Sequence, residues 1–328
     1  MAGMTKKERV GATLAGAPVD RPPVSMWGHD YLREWSPEEL AGVTLEQYRA
    51  FAWDFIKLNP RATYFAEAWG NRFQRPTEPR RPELLSVAVR EAKDLDRIQP
   101  TSARSGVFAE HLEALRLVLA GTAGEADVIH TIFSPLSVLA LLCGPRTEFI
   151  GLAAENPAGA HAALAAVTET LAEYARASLE AGAAGIFFAP LAWASRDASS
   201  PDFYREFGRP YDLQVLAGVS DAPFNVLHVC RNNNMIDLLL DYPVAAFNWA
   251  DHGVGNPSLA AVKARTTKAV MGGVDQARLA SMTAGEVAAQ VREAIASAGP
   301  ERLLVTAGCS IPPETPDANR AALAQAAG

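Results

Sequence analysis

Residues 225–230 read NVLHVC and residues 244–249 read VAAFNW. Both runs are short, β-rich and apolar nearly throughout, the pattern of strands buried on both faces of a parallel sheet. The same kind of run recurs along the chain at Val128–Phe133 (VIHTIF), Gly185–Ala189 (GIFFA), Lys268–Gly272 (KAVMG) and Arg302–Thr306 (RLLVT). Between them lie segments that read as helices: Ala158–Ala181, Pro201–Ala217, Met235–Leu240, Leu259–Lys263, Ala284–Ala298 and Asp317–Ala326. The first of these ends in Glu180-Ala181-Gly182, a helix C-cap signal. Upstream, Pro23–Met26 and Phe55–Leu58 supply two further strand candidates. Roughly eight strand slots alternating with helices predict a (β/α)₈ TIM barrel. A doubly wound open sheet is the alternative, disfavoured because no Gly-rich turn follows the first strand. The expectation is one domain over residues 1–328 with N-terminal helical and loop embellishments, since barrels of this size form single domains. The Pro/Arg-rich stretch Arg72–Glu83 (RFQRPTEPRRPE) reads as a surface loop or hairpin inside it.

Composition excludes several functions. With 30 Lys plus Arg against 37 Asp plus Glu, the net charge of −7 offers no basic face, so no nucleic-acid partner is expected. Three cysteines cannot staple 328 residues, and an odd count argues against a disulfide framework. No apolar signal core follows the charged residues Lys6 to Arg9, and the apolar run Val138–Cys143 is far short of a membrane span. A cytoplasmic protein with reduced thiols and no membrane partner is predicted.

In a barrel, chemistry sits at the C-terminal ends of the strands. His228 and Cys230 lie there, two residues apart, so an extended backbone points both to one face. Cys309 follows the RLLVT strand directly, in Ala307-Gly308-Cys309-Ser310. Two thiolates and an imidazole with an open fourth position describe a catalytic zinc site. Each residue also has a plainer reading, since a lone cysteine is usually a small buried hydrophobe. Cys143, ending an apolar run, is assigned that role. It is the combination across two strands that favours a metal.

His-x-Cys, then a long gap, then Gly-Cys after a late strand resembles the corrinoid-dependent methyltransferases within the uroporphyrinogen decarboxylase superfamily. Other segments match in order. Glu8-Arg9-Val10 through Asp20-Arg21-Pro22 resembles the family opening, and Phe133-Ser134-Pro135-Leu136 its "FxPL" segment. Glu180-Ala181-Gly182-Ala183 resembles the end of its long helix, and Gly272-Gly273-Val274-Asp275 its "GGVD" turn. Gly308-Cys309 with Pro312, Thr315-Pro316 and Asn319 resembles its last loop. The resemblance covers nearly the whole chain and implies the same barrel. Family decarboxylases carry an arginine-rich "RQAGRY" segment after the first strand. Here the stretch is Met26-Trp27-Gly28-His29-Asp30-Tyr31, and the next arginine is Arg33. Without those bidentate donors the basis for holding a polycarboxylate is gone.

The resemblance implies methyl transfer. A zinc ion on His228, Cys230 and Cys309 would hold a small-molecule substrate whose heteroatom exchanges a methyl group with a methylcorrinoid (cobalamin) carried by a partner corrinoid protein. Either direction fits: a thiol as methyl acceptor, or a methoxy or ether compound as methyl donor. The related barrel of cobalamin-independent methionine synthase implies a carboxylate as fourth ligand, for which Asp251, 21 residues after Cys230, is the candidate and His252 its neighbour. Asp251 also reads as a loop or helix-cap carboxylate. Substrate contacts are expected from His29, Asp30 and Tyr31 after strand one and from Asn59 after strand two. Asn232 either orients substrate or caps the following helix. His130, inside an apolar strand, reads as a core or barrel-lining histidine, and Trp193 with Arg196 as mouth or packing residues. A metal-independent decarboxylase-like lyase and a non-catalytic metal- or corrinoid-binding module remain as rivals, with an NAD enzyme a poor third. A homodimer is compatible with everything in the sequence.

Overall fold

The computed structural model describes residues 3–144 and 148–328. Strand β1 is Phe55–Leu58, and the β2–β3 hairpin is Arg72–Gln74 with Glu83–Ser86. The remaining strands are β4 (Asp127–Phe133), β5 (Gly185–Ala189), β6 (Val226–Val229), β7 (Ala246–Trp249), β8 (Ala269–Val274) and β9 (Leu303–Ala307). Strands β1, β4, β5, β6, β7, β8 and β9 form one parallel sheet in that order. Helices cover its outer face, and the long helix Pro157–Glu180 starts at an Asn156 cap with Pro157 in its first turn.

The strand expected at Pro23–Met26 is the one that differs in kind. It forms single bridges instead of a ladder, because Pro22 and Pro23 carry no N–H. It still closes the barrel between β9 and β1. Val305 N–H donates to Pro23 O at 2.9 Å, Ser25 N–H to Val305 O at 3.3 Å, and Asp54 N–H to Val24 O at 2.8 Å. The sheet is thereby wrapped on itself, which removes the open-sheet alternative.

Two further boundaries shift. The predicted helix Pro201–Ala217 is two helices, Pro201–Phe207 and Arg209–Ala217, broken at Gly208, where a Cβ would lie 2.8 Å from the Tyr204 ring. Met235–Leu240 shortens to a 3₁₀ turn, Ile236–Leu238. The Arg72–Glu83 stretch is the hairpin, with Leu84 and Leu85 exposed.

Alternation along each strand sorts residues between the helix-facing core and the lumen. The lower lumen is filled by Phe55, Ile129, Phe187, Val226, Ala246, Ala269, Met271 and Leu304, with Trp27 from the closing segment. Helix Lys6–Ala15, started by a Thr5/Glu8 capping box, lends Val10 to the same cluster and plugs that end. Above this apolar floor the inward positions turn polar.

Candidate metal centre

Parallel register carries the site. The pairing of β6 with β7 sets His228 against Asn248, and alternation sends Cys230 to the same lumen face two residues on. Cys309 arrives from the loop after β9. That loop lies on the end of β7: a Cβ on Gly308 would come within 2.7 Å of Ala250 Cα, Trp249 O and Gln276 Oε1. Only glycine permits that approach. Immediately after Cys230 the backbone is left-handed at Arg231, φ 75°, and again at Asn233, φ 46°. Such conformations in non-glycine residues cost about 1–2 kcal/mol each.

One donor atom each from His228, Cys230 and Cys309 lies within 4.8 Å of the others. The two Sγ atoms are 3.7 Å apart, and Cys309 Sγ is 3.5 Å from His228 Nε2. A tetrahedral zinc ion with ordinary bond lengths needs S···S of about 3.8 Å and S···N of about 3.6 Å. The two spacings to Cys309 Sγ match those values, and the third donor pair, His228 with Cys230, lies within 4.8 Å. The two thiols share a hydrogen bond, and that coupling drives the Cys309 thiol well below and the Cys230 thiol well above the usual value.

Asn248 decides which imidazole nitrogen is free. Its Nδ2 donates to Met271 O at 2.9 Å, which leaves Oδ1 as acceptor for His228 Nδ1–H at 2.6 Å. Nε2 then presents its lone pair toward the two thiols, as a metal ligand requires. Phe187 stacks on the same ring, 5.1 Å between centroids. Asn248→Leu should weaken zinc affinity about 10–100-fold, the usual cost of losing such a partner, while both cysteines stay in place. Titration against a competing chelator measures it, and wild-type affinity in this variant would remove Asn248 from the site.

Asp251 stands outside this group. Its Oδ1 accepts from Gly273 N–H at 3.1 Å and its Oδ2 is 3.6 Å from His252 Nε2, so it ties the end of β7 to β8. Burial pushes its carboxyl upward from the usual range. Asn232 is likewise a brace between loops: its Oδ1 accepts from Val254 N–H at 3.1 Å and its carbonyl from Ser195 Oγ at 2.7 Å. Arg196 donates to Asn234 O in the same loop, and Trp193 is buried beneath it. His130 faces the helices and not the lumen. It bonds Ser178 Oγ at 2.9 Å, and burial drives its pKa down to about 3. Cys143 is buried at a helix end, with burial pushing its thiol up to about 12.

His29, Tyr31 and Asn59 do line one cleft, of about 390 Å³, beside the rim. His29 and Tyr31 stack at 4.9 Å, and His29 Nδ1 is 2.9 Å from Glu34 Oε2. Glu34 is 2% exposed, and its Oε1 has no partner. Asn59 donates to Gly28 O at 3.0 Å and accepts from Ser310 Oγ at 3.4 Å, next to Cys309. The Arg33 guanidinium is already committed to Asp30 and Glu46, at 2.9 and 2.8 Å, so the cleft offers no free arginine fork from that segment.

Lys57, Asn248 and Glu34 escaped the sequence reading. The first two carried a usable signal, a lone polar residue at an inward position of an otherwise apolar strand: FIKL for Lys57 and AFNW for Asn248. Lys57 Nζ donates to Asn59 Oδ1 at 2.5 Å, and burial pulls its pKa down to about 7 against the opposing charge of Cys309.

A closed barrel with two thiols and an imidazole converging at its C-terminal rim belongs to the class of barrel enzymes that work from their strand ends. Residues 5–328 match the family profile described as uroporphyrinogen decarboxylase (URO-D), and the chain belongs to that family. Within it, the chain is similar to the methylcobamide:CoM methyltransferase MtaA of Methanosarcina barkeri, at 26% identity over 249 residues covering 72% of each protein. A solved methyltransferase structure from Methanosarcina mazei superposes with a TM-score of 0.85 at 25% identity, over 98% of both chains. A B12-independent methionine synthase from Shewanella sp. W3-18-1 shares the fold, with a TM-score of 0.63 at 15% identity over 93% of this chain and 95% of that one. The chain is a methyltransferase of this family. No helix among the described residues is long and apolar enough to cross a membrane.

Proposed function

We propose that this methyltransferase holds a zinc ion on His228, Cys230 and Cys309 and moves a methyl group between a corrinoid carried by a partner protein and a small substrate. The observation that carries this reading is the donor set itself, two sulfurs and one nitrogen within 4.8 Å of one another, with Cys309 Sγ 3.7 Å from Cys230 Sγ and 3.5 Å from His228 Nε2. Zinc bound there supplies a Lewis-acid position that favours a thiol as its thiolate, or polarises a methoxy or ether oxygen.

The protein's own groups divide the remaining work. Asn248 fixes the tautomer of His228, and the Cys230–Cys309 hydrogen bond lowers the Cys309 thiol toward its thiolate. The fourth position is left to substrate in this reading, because the converging donors are His228, Cys230 and Cys309 and Asp251 stands outside them. The cleft of His29, Tyr31 and Asn59 is the proposed substrate entrance, since its lining residue Asn59 accepts a hydrogen bond from Ser310, the residue after Cys309. A decarboxylase is disfavoured on the same ground, since the family's arginine position is taken by His29, Asp30 and Tyr31.

Incubation of the purified, zinc-loaded protein with a methylated corrinoid and a panel of thiols, methoxyaromatics and folates tests the proposal. Protein-dependent change in the corrinoid spectrum with one class of partner is expected. Silence across the whole panel overturns the proposal.

A further inference from the structure

Lys57 is 6% exposed, and its side chain sits inside the barrel with no carboxylate paired to it, the one opposing charge being that of Cys309, a sulfur the metal would claim. Its polar partner is the neutral amide of Asn59, and its other neighbours are the faces of Phe187, 4.8 Å from the ring centre, and Trp27, 5.5 Å away. Ring faces and an amide stabilise an ammonium only partly, and among the described residues no carboxylate forms an ion pair with it. A buried cation left this way marks a place where negative charge arrives from elsewhere.

The metal centre lies one contact away on two sides. Phe187, under the Lys57 ammonium, stacks on His228. Asn59 Oδ1, which accepts from Lys57, also accepts from Ser310, the residue after Cys309. A divalent ion, two thiolates and a neutral imidazole sum to zero charge, so the loaded centre alone gives Lys57 no counter-ion. A thiol substrate entering as thiolate adds one negative charge.

We infer that Lys57 is a positioning residue, braced by Asn59, that supplies the counter-charge for an anionic sulfur arriving at the His228–Cys230–Cys309 centre. This rests on the zinc and thiol reading proposed above and says what makes the open position selective for a charged sulfur over a neutral ligand.

The test uses zinc-loaded wild type, Lys57→Met and Lys57→Arg, with zinc content measured first. Calorimetric affinities are then taken for 2-mercaptoethanol, which enters as an anion, and for imidazole, which enters neutral. Lys57→Met should keep its zinc, lose thiol affinity about tenfold, as expected for one charge at short range in a site of intermediate dielectric, and bind imidazole unchanged. Lys57→Arg should recover most of the thiol affinity. Lys57→Gln, a second neutral variant, should repeat the Lys57→Met result and guards against a folding defect in the first. Equal thiol affinity in wild type and both neutral variants overturns the inference, as does parallel loss of thiol and imidazole, which would make Lys57 merely structural. No corrinoid is present, so a missing methyl acceptor cannot mimic failure. A wild type that takes no zinc overturns the parent reading and this inference together, whereas zinc and thiol binding indifferent to Lys57 overturns this inference alone.

Discussion

Cys230→Ser and Cys309→Ser should each purify with no zinc and no methyl transfer above background. Wild type should carry about one zinc per chain, as a three-ligand catalytic site implies. Serine replaces a soft, readily ionised sulfur by a hard hydroxyl that stays protonated at neutral pH, so either change leaves a two-ligand site. The loss should exceed the about 10–100-fold expected for removing Asn248, because a ligand and not its partner is gone. Both sulfurs sit at the rim above the packed floor of the lumen, so the barrel should survive either change. Cys143→Ser is the control: Cys143 is buried at the end of helix Pro135–Leu142, its Sγ 3.3 Å from Leu139 O, and its loss should leave zinc in place. Elemental analysis of the purified variants decides the matter. Full metal retention in both rim variants would end the zinc assignment.

The elements most legible in the sequence were those with local causes. The strands at VIHTIF, GIFFA and VAAFNW, and the pair His228/Cys230, follow from runs a few residues long. Cys309 could be added because it directly follows a strand. What escaped depends on register between distant strands. Asn248 matters only because β6 and β7 pair so that it faces His228, and nothing local to FNW says so. Lys57 matters because β1 curls until its ammonium overlies Phe187 of β5. Asp251 and Asn232 show the converse. Their positions after strands looked functional, yet the amide of Gly273 in β8 and that of Val254 in a loop bond their side chains in this structure. The break at Gly208 and the bridging form of Pro23–Met26 are similar cases, in which a ring or a missing N–H overrides an otherwise good pattern.

Asp54→Ala should unfold the barrel at markedly lower denaturant than wild type, with a loss of about 3–5 kcal/mol, the cost of leaving buried charges without their partner. Asp54 is 0% exposed and just precedes β1. Its carboxylate accepts from Arg9 Nη1 at 2.6 Å, from Arg21 Nη1 at 2.6 Å and Nη2 at 3.0 Å, and from the Val24 amide at 2.8 Å. Arg9 also forks onto Asp20, with both contacts at 2.7 Å. The opening segment Glu8-Arg9-Val10 to Asp20-Arg21-Pro22 thus acts as a latch that fastens the plugging helix and the closing segment to β1. Cutting it frees two guanidiniums at the point where the sheet lacks a full ladder. The latch also sets a pH limit. Arg9 holds the Asp20 carboxyl well below its ordinary range, so the stability from that pair is present above the unfolded value, about pH 4, and falls away as pH drops toward the lower folded value. Asp20→Asn should therefore flatten the acid limb of the stability curve, whereas Asp54→Ala lowers the whole curve. Urea midpoints between pH 3 and 7 separate the two, and an Asp54→Ala midpoint equal to wild type at pH 7 would show that closure of the barrel does not depend on the latch.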